Sequence, residues 1–189
     1  MATILVELAT KRLLLRRGRT NLPTDEELQA NHQRYVVEFN EPEITFQQYK
    51  DVILFDYYST LEGNRFGYYT IFPKEGDQWL GHCYFAPRLC TPEERVRFGS
   101  TLRNSTPYQA FELEIGWAIG ISYRHQGYAT EAAQALVDHA FQEIHVPRIV
   151  AFTEQSNPQS VNVMQRLGMQ IDLDPTTGSV IGWLENNVL

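Results

Sequence analysis

Residues 112–144 read ELEIGWAIGISYRHQGYATEAAQALVDHAFQEI, and this stretch decides the fold. Its first ten residues, Glu112 to Ile121, are largely apolar and predict a strand. From Thr130 to Ile144 the apolar side chains recur at spacings of three and four, which predicts a helix with one buried stripe. Pro147 and a β-branched strand from Arg148 to Thr153 follow. Strand, helix and strand in this order predict a crossover between parallel strands.

The loop between this strand and this helix has the sequence Arg124-His125-Gln126-Gly127-Tyr128-Ala129. A helix amino terminus presents unpaired backbone N–H groups and a partial positive charge, so it binds anions. Gly127 lets a phosphate approach its backbone closely, and Arg124 adds a cation. The pattern alone also fits an ordinary glycine-containing turn. Two other phosphate-binding patterns, Gly-x-x-x-x-Gly-Lys-Ser/Thr and Gly-x-Gly-x-x-Gly, do not occur here.

Composition excludes several classes of protein. The 189 residues fit one domain, and 43% hydrophobic residues are enough for a sizeable core. A net charge of −7 argues against general nucleic-acid binding. The first twenty residues lack the continuous apolar run of a signal peptide, so a cytoplasmic protein is expected. Cys83 and Cys90 form no disulfide framework or metal-ligand pattern, and no metal is expected.

The rest of the chain alternates strands and helices. A first strand is expected around 12–16, where the arginines of the basic cluster Arg12, Arg16, Arg17 and Arg19 are expected on a solvated face. Helices are predicted over 25–38, with Thr24 as the cap, over 45–61, and from Asn157-Pro158 to Gly168. Strands over 66–72 and 79–85 predict a hairpin. The long polar connection 87–110 contains a short predicted helix near 91–98, and 172–178 predicts a turn before a last strand at 179–184.

Four segments in order resemble the GNAT acetyltransferase superfamily. They are Glu-Ile-Gly-Trp-Ala-Ile-Gly at 114–120, Gln-Gly-Tyr-Ala-Thr-Glu-Ala at 126–132, Arg-Ile-Val-Ala at 148–151 and Asn-Pro-Gln-Ser-Val-Asn-Val-Met-Gln-Arg-Leu-Gly-Met at 157–169. The opening Thr10-Lys11-Arg12-Leu13-Leu14-Leu15-Arg16 and Trp79-Leu80-Gly81 resemble the branch that acetylates ribosomal-protein amino termini. The resemblance implies one α/β domain over 1–189, with a mixed, mostly antiparallel sheet, helices on both faces and a coenzyme-binding half at about 112–169.

The same resemblance implies where acetyl-coenzyme A, as co-substrate, would bind. In this superfamily a parallel central strand pair splays and leaves backbone groups free for pantetheine, here at Trp117, Ala118 and Ile119. The loop amides of Gln126, Gly127, Tyr128, Ala129 and Thr130 would hold the diphosphate, together with Arg124. Asn157 matches an asparagine that contacts the reactive end of the coenzyme, and as a helix cap it also has a purely structural explanation.

The catalytic groups are less well determined by the resemblance. Many members carry a tyrosine donor seven residues after the asparagine, but Met164 stands there and cannot donate a proton. Ser160 is the expected substitute, with an ordinary first-turn serine as the alternative. Glu114, whose strand face Glu112 shares, is the candidate base, with a solvated glutamate as the alternative.

The acceptor is expected to be a primary amine, on a protein amino terminus or a small molecule, and no nucleic acid or membrane partner is expected. Family acceptors enter near the segments that correspond here to Gln33–Glu38, Tyr57–Tyr58 and Pro175–Gly178. The chain departs from the ribosomal branch at Arg124, at His125, where glycine is usual, and in the length of 87–110. A non-catalytic acetyl-coenzyme A sensor or assembly module remains an alternative, and so does a homodimer.

Overall fold

The computed structural model describes residues 6–17, 21–62, 64, 66–90, 94, 111–174 and 177–186. The strands are β1 (Val6–Ala9), β2 (Leu13–Arg17), β3 (Gly67–Pro73), β4 (Gly81–Leu89), β5 (Phe111–Ile119), β6 (Arg148–Glu154), β7 (Gln170–Leu173) and β8 (Ser179–Glu185). The α-helices are α1 (Asp25–Phe39), α2 (Phe46–Leu61), α3 (Tyr128–His139) and α4 (Pro158–Arg166). None of the described helices is long and apolar enough to cross a membrane.

The chain divides into two compact units. Unit 1 comprises Met1–Tyr84 and Trp117–Ala132, and unit 2 comprises Phe85–Gly116 and Ala133–Leu189. In unit 1 the strands follow the order β1-β2-β3-β4, and the pairs β1–β2 and β2–β3 are antiparallel. In unit 2 the order is β4-β5-β6-β8-β7, because β4 and β5 contribute residues to both units. The expectation of one continuous domain stays a prediction.

The parallel strand pair predicted from the crossover is β5–β6. Leu113 lies opposite Ile149 and Glu114 opposite Val150, whereas β8 pairs antiparallel with both β6 and β7. The prediction of a mixed α/β sheet with one parallel pair is therefore confirmed. The last residues of β5, Trp117 to Ile119, follow this short pairing in the chain.

Side-chain caps explain where the first two helices begin. Thr24 accepts a hydrogen bond from the amide of Glu27, whose carboxylate accepts from the Thr24 amide in return. Thr45 and Gln48 make the same reciprocal pair at the start of α2. This arrangement satisfies two otherwise unpaired amides at each helix start. The predicted starts of both helices are confirmed.

Several predicted boundaries and environments are wrong. The segment predicted as a turn at 172–178 contains the end of a strand, since β7 covers Gln170–Leu173 and only Asp174 to Gly178 connects it to β8. β4 extends to Leu89, so the connection after it is shorter than 87–110. The short helix expected near 91–98 lies outside the described residues, of which this stretch contains only Glu94. The helix predicted over 130–144 begins at Tyr128, two residues before its predicted start. Its last turn, Ala140–Ile144, is π-helical.

One member of the basic cluster, Arg17, does not lie on a solvated face. Arg17 is only 2% exposed and lies on the buried side of β2 with Leu13 and Leu15. Its guanidinium donates to the backbone carbonyls of Asn64 and Phe66 and lies 3.9 Å from Asp56. A buried charge needs such partners because desolvation is costly. The expectation was wrong for Arg17 because its acceptors come from chain segments far away in the sequence.

Candidate functional site

The loop between β5 and α3 has an unusual backbone conformation. After a 3-10 turn at Ile121–Tyr123, His125 adopts φ 63° and Gly127 adopts φ 80°. Both values lie in the left-handed region, which glycine adopts freely and which histidine tolerates better than most residues. This explains why glycine would be usual at position 125, and why histidine can replace it.

The start of α3 offers backbone donors. The amide of Glu131 donates to the carbonyl of Gly127, which is the first hydrogen bond of the helix. Within the described part of the chain, the amides of Tyr128, Ala129 and Thr130 have no acceptor. The buried hydroxyl of Thr130 also lacks a hydrogen-bond partner there. Three amides and the positive end of the helix dipole therefore meet at the start of α3, which suits an anion, and the Thr130 hydroxyl is a further polar atom of the same turn.

The loop is held to the body of unit 1 from two sides. The carboxylate of Glu38 in α1 accepts hydrogen bonds from the backbone amide of Ser122, at 3.2 Å, and from its hydroxyl, at 3.0 Å. The guanidinium of Arg124 donates to the carbonyl of Ile119, at 3.0 Å. Arg124 thus fastens the loop to the end of β5, and its role as a phosphate partner stays a prediction.

The strand end expected to receive pantetheine lies against a glycine. A Cβ added to Gly81, at the start of β4, would lie 2.2 Å from the carbonyl oxygen of Ala118 and 3.0 Å from the Cα of Ile119. The amide of Gly120 donates to the carbonyl of Leu80 just beside this contact. Only glycine therefore fits at position 81, and the end of β5 is positioned by backbone contacts.

Arg12 is a part of this loop environment that sequence reasoning missed. It lies just before β2, and its Nε donates to Oε2 of Glu131 at 2.6 Å. Its Nη1 donates to the carbonyl of Gln126 at 3.0 Å, and its guanidinium lies 4.7 Å from the ring centre of Tyr128. The spacing between an arginine and a glutamate more than 100 residues later carries no signal in a single sequence.

In unit 2, Asn157 caps α4. Its side-chain oxygen accepts from the backbone amide of Ser160 at 3.2 Å, and Pro158 occupies the first helical position. The structural explanation for Asn157 is therefore confirmed, while its contact with the coenzyme stays a prediction. Ser160 is partly exposed in the first turn. Met164 is fully buried, and its sulfur would lie 3.0 Å from a Cβ on Gly182 of β8, so it is a core residue.

The two glutamates of β5 have different environments. Glu112 is fully buried between two arginines: Nε of Arg148 donates to it at 2.7 Å and Arg88 lies 2.9 Å away. Glu114 is partly exposed and interacts electrostatically with Arg88. The carboxylate of Glu112 belongs to a buried ion-pair cluster, which distinguishes it from the candidate base Glu114. Glu114 keeps its role as a prediction.

The same cluster contains the group of described side chains that comes nearest to a metal site. Ligand atoms of Cys90, Glu94 and Glu112 lie within 4.8 Å of one another. Both carboxylates are already paired with arginines, Glu94 with Arg88 at 2.7 Å and Glu112 with Arg148. Two guanidiniums at this place repel a cation, so the donor set does not fit a metal ion.

A cluster of aromatic rings lies beside β4 in unit 1. Tyr35 of α1 stacks on Phe39, and His82 of β4 lies 5.4 Å from the rings of Phe39 and Tyr68. Burial lowers the pKa of His82 to about 4, so its imidazole is neutral near pH 7. His82 directly follows Gly81, which touches the end of β5. Sequence reasoning passed over this histidine because it stands in an apolar run.

The chain belongs to the GNAT acetyltransferase family, because residues 12–170 match the family model described as an acetyltransferase (GNAT) domain. The uncharacterized N-acetyltransferase YnaD of Bacillus subtilis is 42% identical over 57 residues, which is 30% of this chain and 34% of YnaD. The N-acetyltransferase p20 of Bacillus licheniformis is 30% identical over 113 residues, 59% of this chain and 52% of p20. The chain thus spans between a third and about half of these relatives' lengths.

Solved structures share the fold. A GNAT-family acetyltransferase from Bacillus anthracis superposes with a TM-score of 0.67 at 20% identity, over 96% of this chain and 99% of the other. RimL, the ribosomal L7/L12 alpha-N-protein acetyltransferase in complex with coenzyme A, gives a TM-score of 0.66 at 14% identity, over 95% of this chain and 98% of RimL. These likenesses concern the fold alone.

Proposed function

We propose that this chain is an acetyl-coenzyme A-dependent N-acetyltransferase whose acceptor is a primary amine. The observation that carries the proposal is the start of α3, where the amides of Tyr128 to Thr130 have no acceptor within the described residues. Gly127, at φ 80°, has no side chain that would keep a phosphate away from its backbone. In a member of the GNAT family, such a cluster of donors suits the diphosphate of coenzyme A. The complex of RimL with coenzyme A supports the same choice of ligand.

Acetyl-coenzyme A would supply a thioester as the acetyl donor, and the amine would attack the carbonyl carbon of that thioester. In the transfer, the lone pair of the neutral amine forms the new C–N bond as the C–S bond breaks. The thiolate leaves with the bonding pair and takes a proton, and the amine nitrogen loses one. Ser160 at the start of α4 is the proposed donor to the thiolate, and Glu114 the proposed acceptor of the amine proton, directly or through water. Holding the two reactants together supplies much of the remaining rate.

Coenzyme binding tests the first half of the proposal. Titration calorimetry with coenzyme A should give saturable binding to the wild-type chain, and Gly127→Val should abolish it, because a β-branched residue is strained at φ 80°. Gly168→Val is the matched control: Gly168 has φ 77° with open space at its Cβ position, so the same residue carries similar strain away from the loop. Retained affinity in Gly127→Val, or equal loss in Gly168→Val, would contradict the loop assignment.

An acceptor screen tests the second half. Thiol release from acetyl-coenzyme A should rise above the hydrolysis background with at least one member of a panel of amino-terminal peptides, polyamines and other primary amines. Release with every amine at the background rate, combined with tight coenzyme binding, would favour the sensor alternative. That alternative has one observation in its favour, since Met164 is a core residue without a proton to donate.

A further inference from the structure

Arg12 makes more contacts with the loop before α3 than a surface ion pair requires. Its guanidinium pairs with Glu131 through Nε, donates to the carbonyl of Gln126 through Nη1 and lies over the ring of Tyr128. Its own backbone amide also donates to Glu131, at 2.8 Å. One arginine is thus fixed by contacts to three residues of the segment 126–131.

The carboxylate of Glu131 is fixed in turn. The hydroxyl of Thr10 donates to its Oε1 at 2.6 Å, and the two Arg12 donors complete its surroundings. These hydrogen bonds hold the pKa of Glu131 below its usual range despite partial burial, so the group is a carboxylate at neutral pH. A fixed carboxylate with several partners orients the guanidinium and reduces the entropy that a free arginine would lose on binding a ligand.

The third nitrogen of the guanidinium lies beside Gly127, the residue before the free amides of α3. Nη2 lies 3.5 Å from the position where a Cβ of Gly127 would be, and within the described residues it has no acceptor. The Arg12 side chain as a whole is 44% exposed. An oriented guanidinium donor on a half-exposed side chain, next to the glycine that precedes the free amides, is an arrangement that suits a phosphate oxygen.

We propose that Arg12 is a coenzyme-binding residue: its Nη2 binds the diphosphate held at the start of α3, while Thr10 and Glu131 position the guanidinium. This assignment rests on the proposed use of coenzyme A. It adds a charged ligand from the amino-terminal end of the chain to a site otherwise built from backbone amides.

The experiment compares ligands that differ in their phosphates. Titration calorimetry measures the Kd of coenzyme A, of dephospho-coenzyme A, which lacks the 3′-phosphate, and of pantetheine, which has no phosphate. Arg12→Gln should raise the Kd of the first two ligands about 10- to 100-fold, since a hydrogen bond to a charged group is typically of that strength, and leave pantetheine unchanged. Arg12→Lys, which keeps the charge but not the fixed fork, should give an intermediate loss.

Arg16→Gln is the matched control. Arg16 lies on β2, four residues after Arg12, pairs with Glu7 at 2.8 Å and lies 5.3 Å from the ring centre of Phe72, so it shares with Arg12 an ion pair and an aromatic contact but none with the loop. Its replacement should leave all three Kd values within about twofold of wild type, because exposed ion pairs contribute little. Thermal melting of each variant measures any loss of folding, and Arg12→Lys serves if Arg12→Gln melts below the assay temperature.

Three results would overturn the assignment. Unchanged Kd values in Arg12→Gln mean that Arg12 does not touch the ligand, and an equal loss for pantetheine means that Arg12 only supports the fold. A loss confined to coenzyme A, with dephospho-coenzyme A unaffected, moves the contact to the 3′-phosphate. If instead the wild-type chain binds none of the three ligands, the proposed function itself is wrong, and that failure is visible before any variant is made.

Discussion

Removing the charge of Glu112 should destabilise the chain more than any other single replacement in its cluster. Glu112 and Arg148 are both 0% exposed, and Arg88 also pairs with Glu112, at 2.9 Å. Glu112→Gln keeps the shape but leaves both guanidiniums short of one negative charge. Breaking a buried pair in this way costs about 3–5 kcal/mol, and the cost should lie at the upper end because two partners are affected. Arg148→Met should cost less, at about 3 kcal/mol, since Glu112 keeps Arg88.

Chemical and thermal denaturation measure these differences. In a chain of this size each kcal/mol lowers Tm by about 2–4 °C, so Glu112→Gln should melt roughly 10–20 °C below wild type. The double variant Glu112→Leu with Arg148→Met should lose less free energy of unfolding than the sum of the losses of the single variants Glu112→Leu and Arg148→Met. The reason is that apolar residues of similar size then replace the pair. Glu7→Gln, which removes the exposed partner of Arg16, is the control and should cost at most about 1 kcal/mol.

Two outcomes would refute this reasoning. A loss below about 1 kcal/mol for Glu112→Gln would mean that the buried cluster is not coupled, since that is the range of exposed pairs. A loss in the double variant equal to the sum of the two single losses would also mean that Glu112 and Arg148 are not coupled. The experiment also tests whether Glu112 takes part in catalysis: at a temperature where the variant is folded, kcat should stay close to wild type. A folded variant without turnover would place Glu112 in the mechanism.

Two further predictions concern the candidate site. Ser160→Ala should lower kcat at least about tenfold while the Kd of coenzyme A stays within about twofold, as expected for a proton donor to the leaving thiolate, and unchanged kcat at saturating substrate would remove Ser160 from the mechanism. His82 should make stability depend on acid: its pKa is lowered to about 4 by burial, and an unfolded histidine titrates near 6.5. The unfolded chain therefore binds more protons between these values, and stability falls as pH falls. Between pH 7 and 4.5, urea unfolding should show a loss about 2–3 kcal/mol larger for wild type than for His82→Asn, and equal losses would refute the buried neutral imidazole.

Local chemistry made most of the fold predictable. The cap at Thr24, followed by acids in the first turn, gave the start of α1 correctly, and the helix predicted from residue 45 begins one residue later, with Thr45 as its cap. The β–loop–α order around Gly127 gave the parallel pair. β7 escaped prediction because its four residues include a central aspartate, Asp172, and are bounded by turn-forming residues. Such a short strand is stabilised by pairing with β8 and has little intrinsic preference of its own.

The charged residues were harder to predict than the apolar ones. Alternation along β2 does place Arg17 on the same side as Leu13 and Leu15, so the sequence contained a signal for its burial. It contained none for the acceptors, which are backbone carbonyls of Asn64 and Phe66. Glu112 is the same case, because the arginines that neutralise it lie on β4 and β6. Until its partners are known, a charged residue in a sequence is predicted to be solvated or catalytic, because nothing in the sequence shows what could neutralise it inside the protein.

Arg12 shows how this limit affects the candidate site itself. The loop 124–129 could be proposed as an anion-binding segment because backbone amides at a helix start need no distant partner to attract a phosphate. A side-chain ligand does need one: without Thr10 and Glu131 to fix it, Arg12 would be a flexible exposed cation of little value for affinity. The same limit holds for the expected acceptor region: Tyr35 lies in the segment Gln33–Glu38 where an acceptor is expected, and its ring and that of Tyr68 come to lie beside His82 only in the fold. Variants of these rings, screened against the amine panel, are therefore the place to look for acceptor preference once turnover is found.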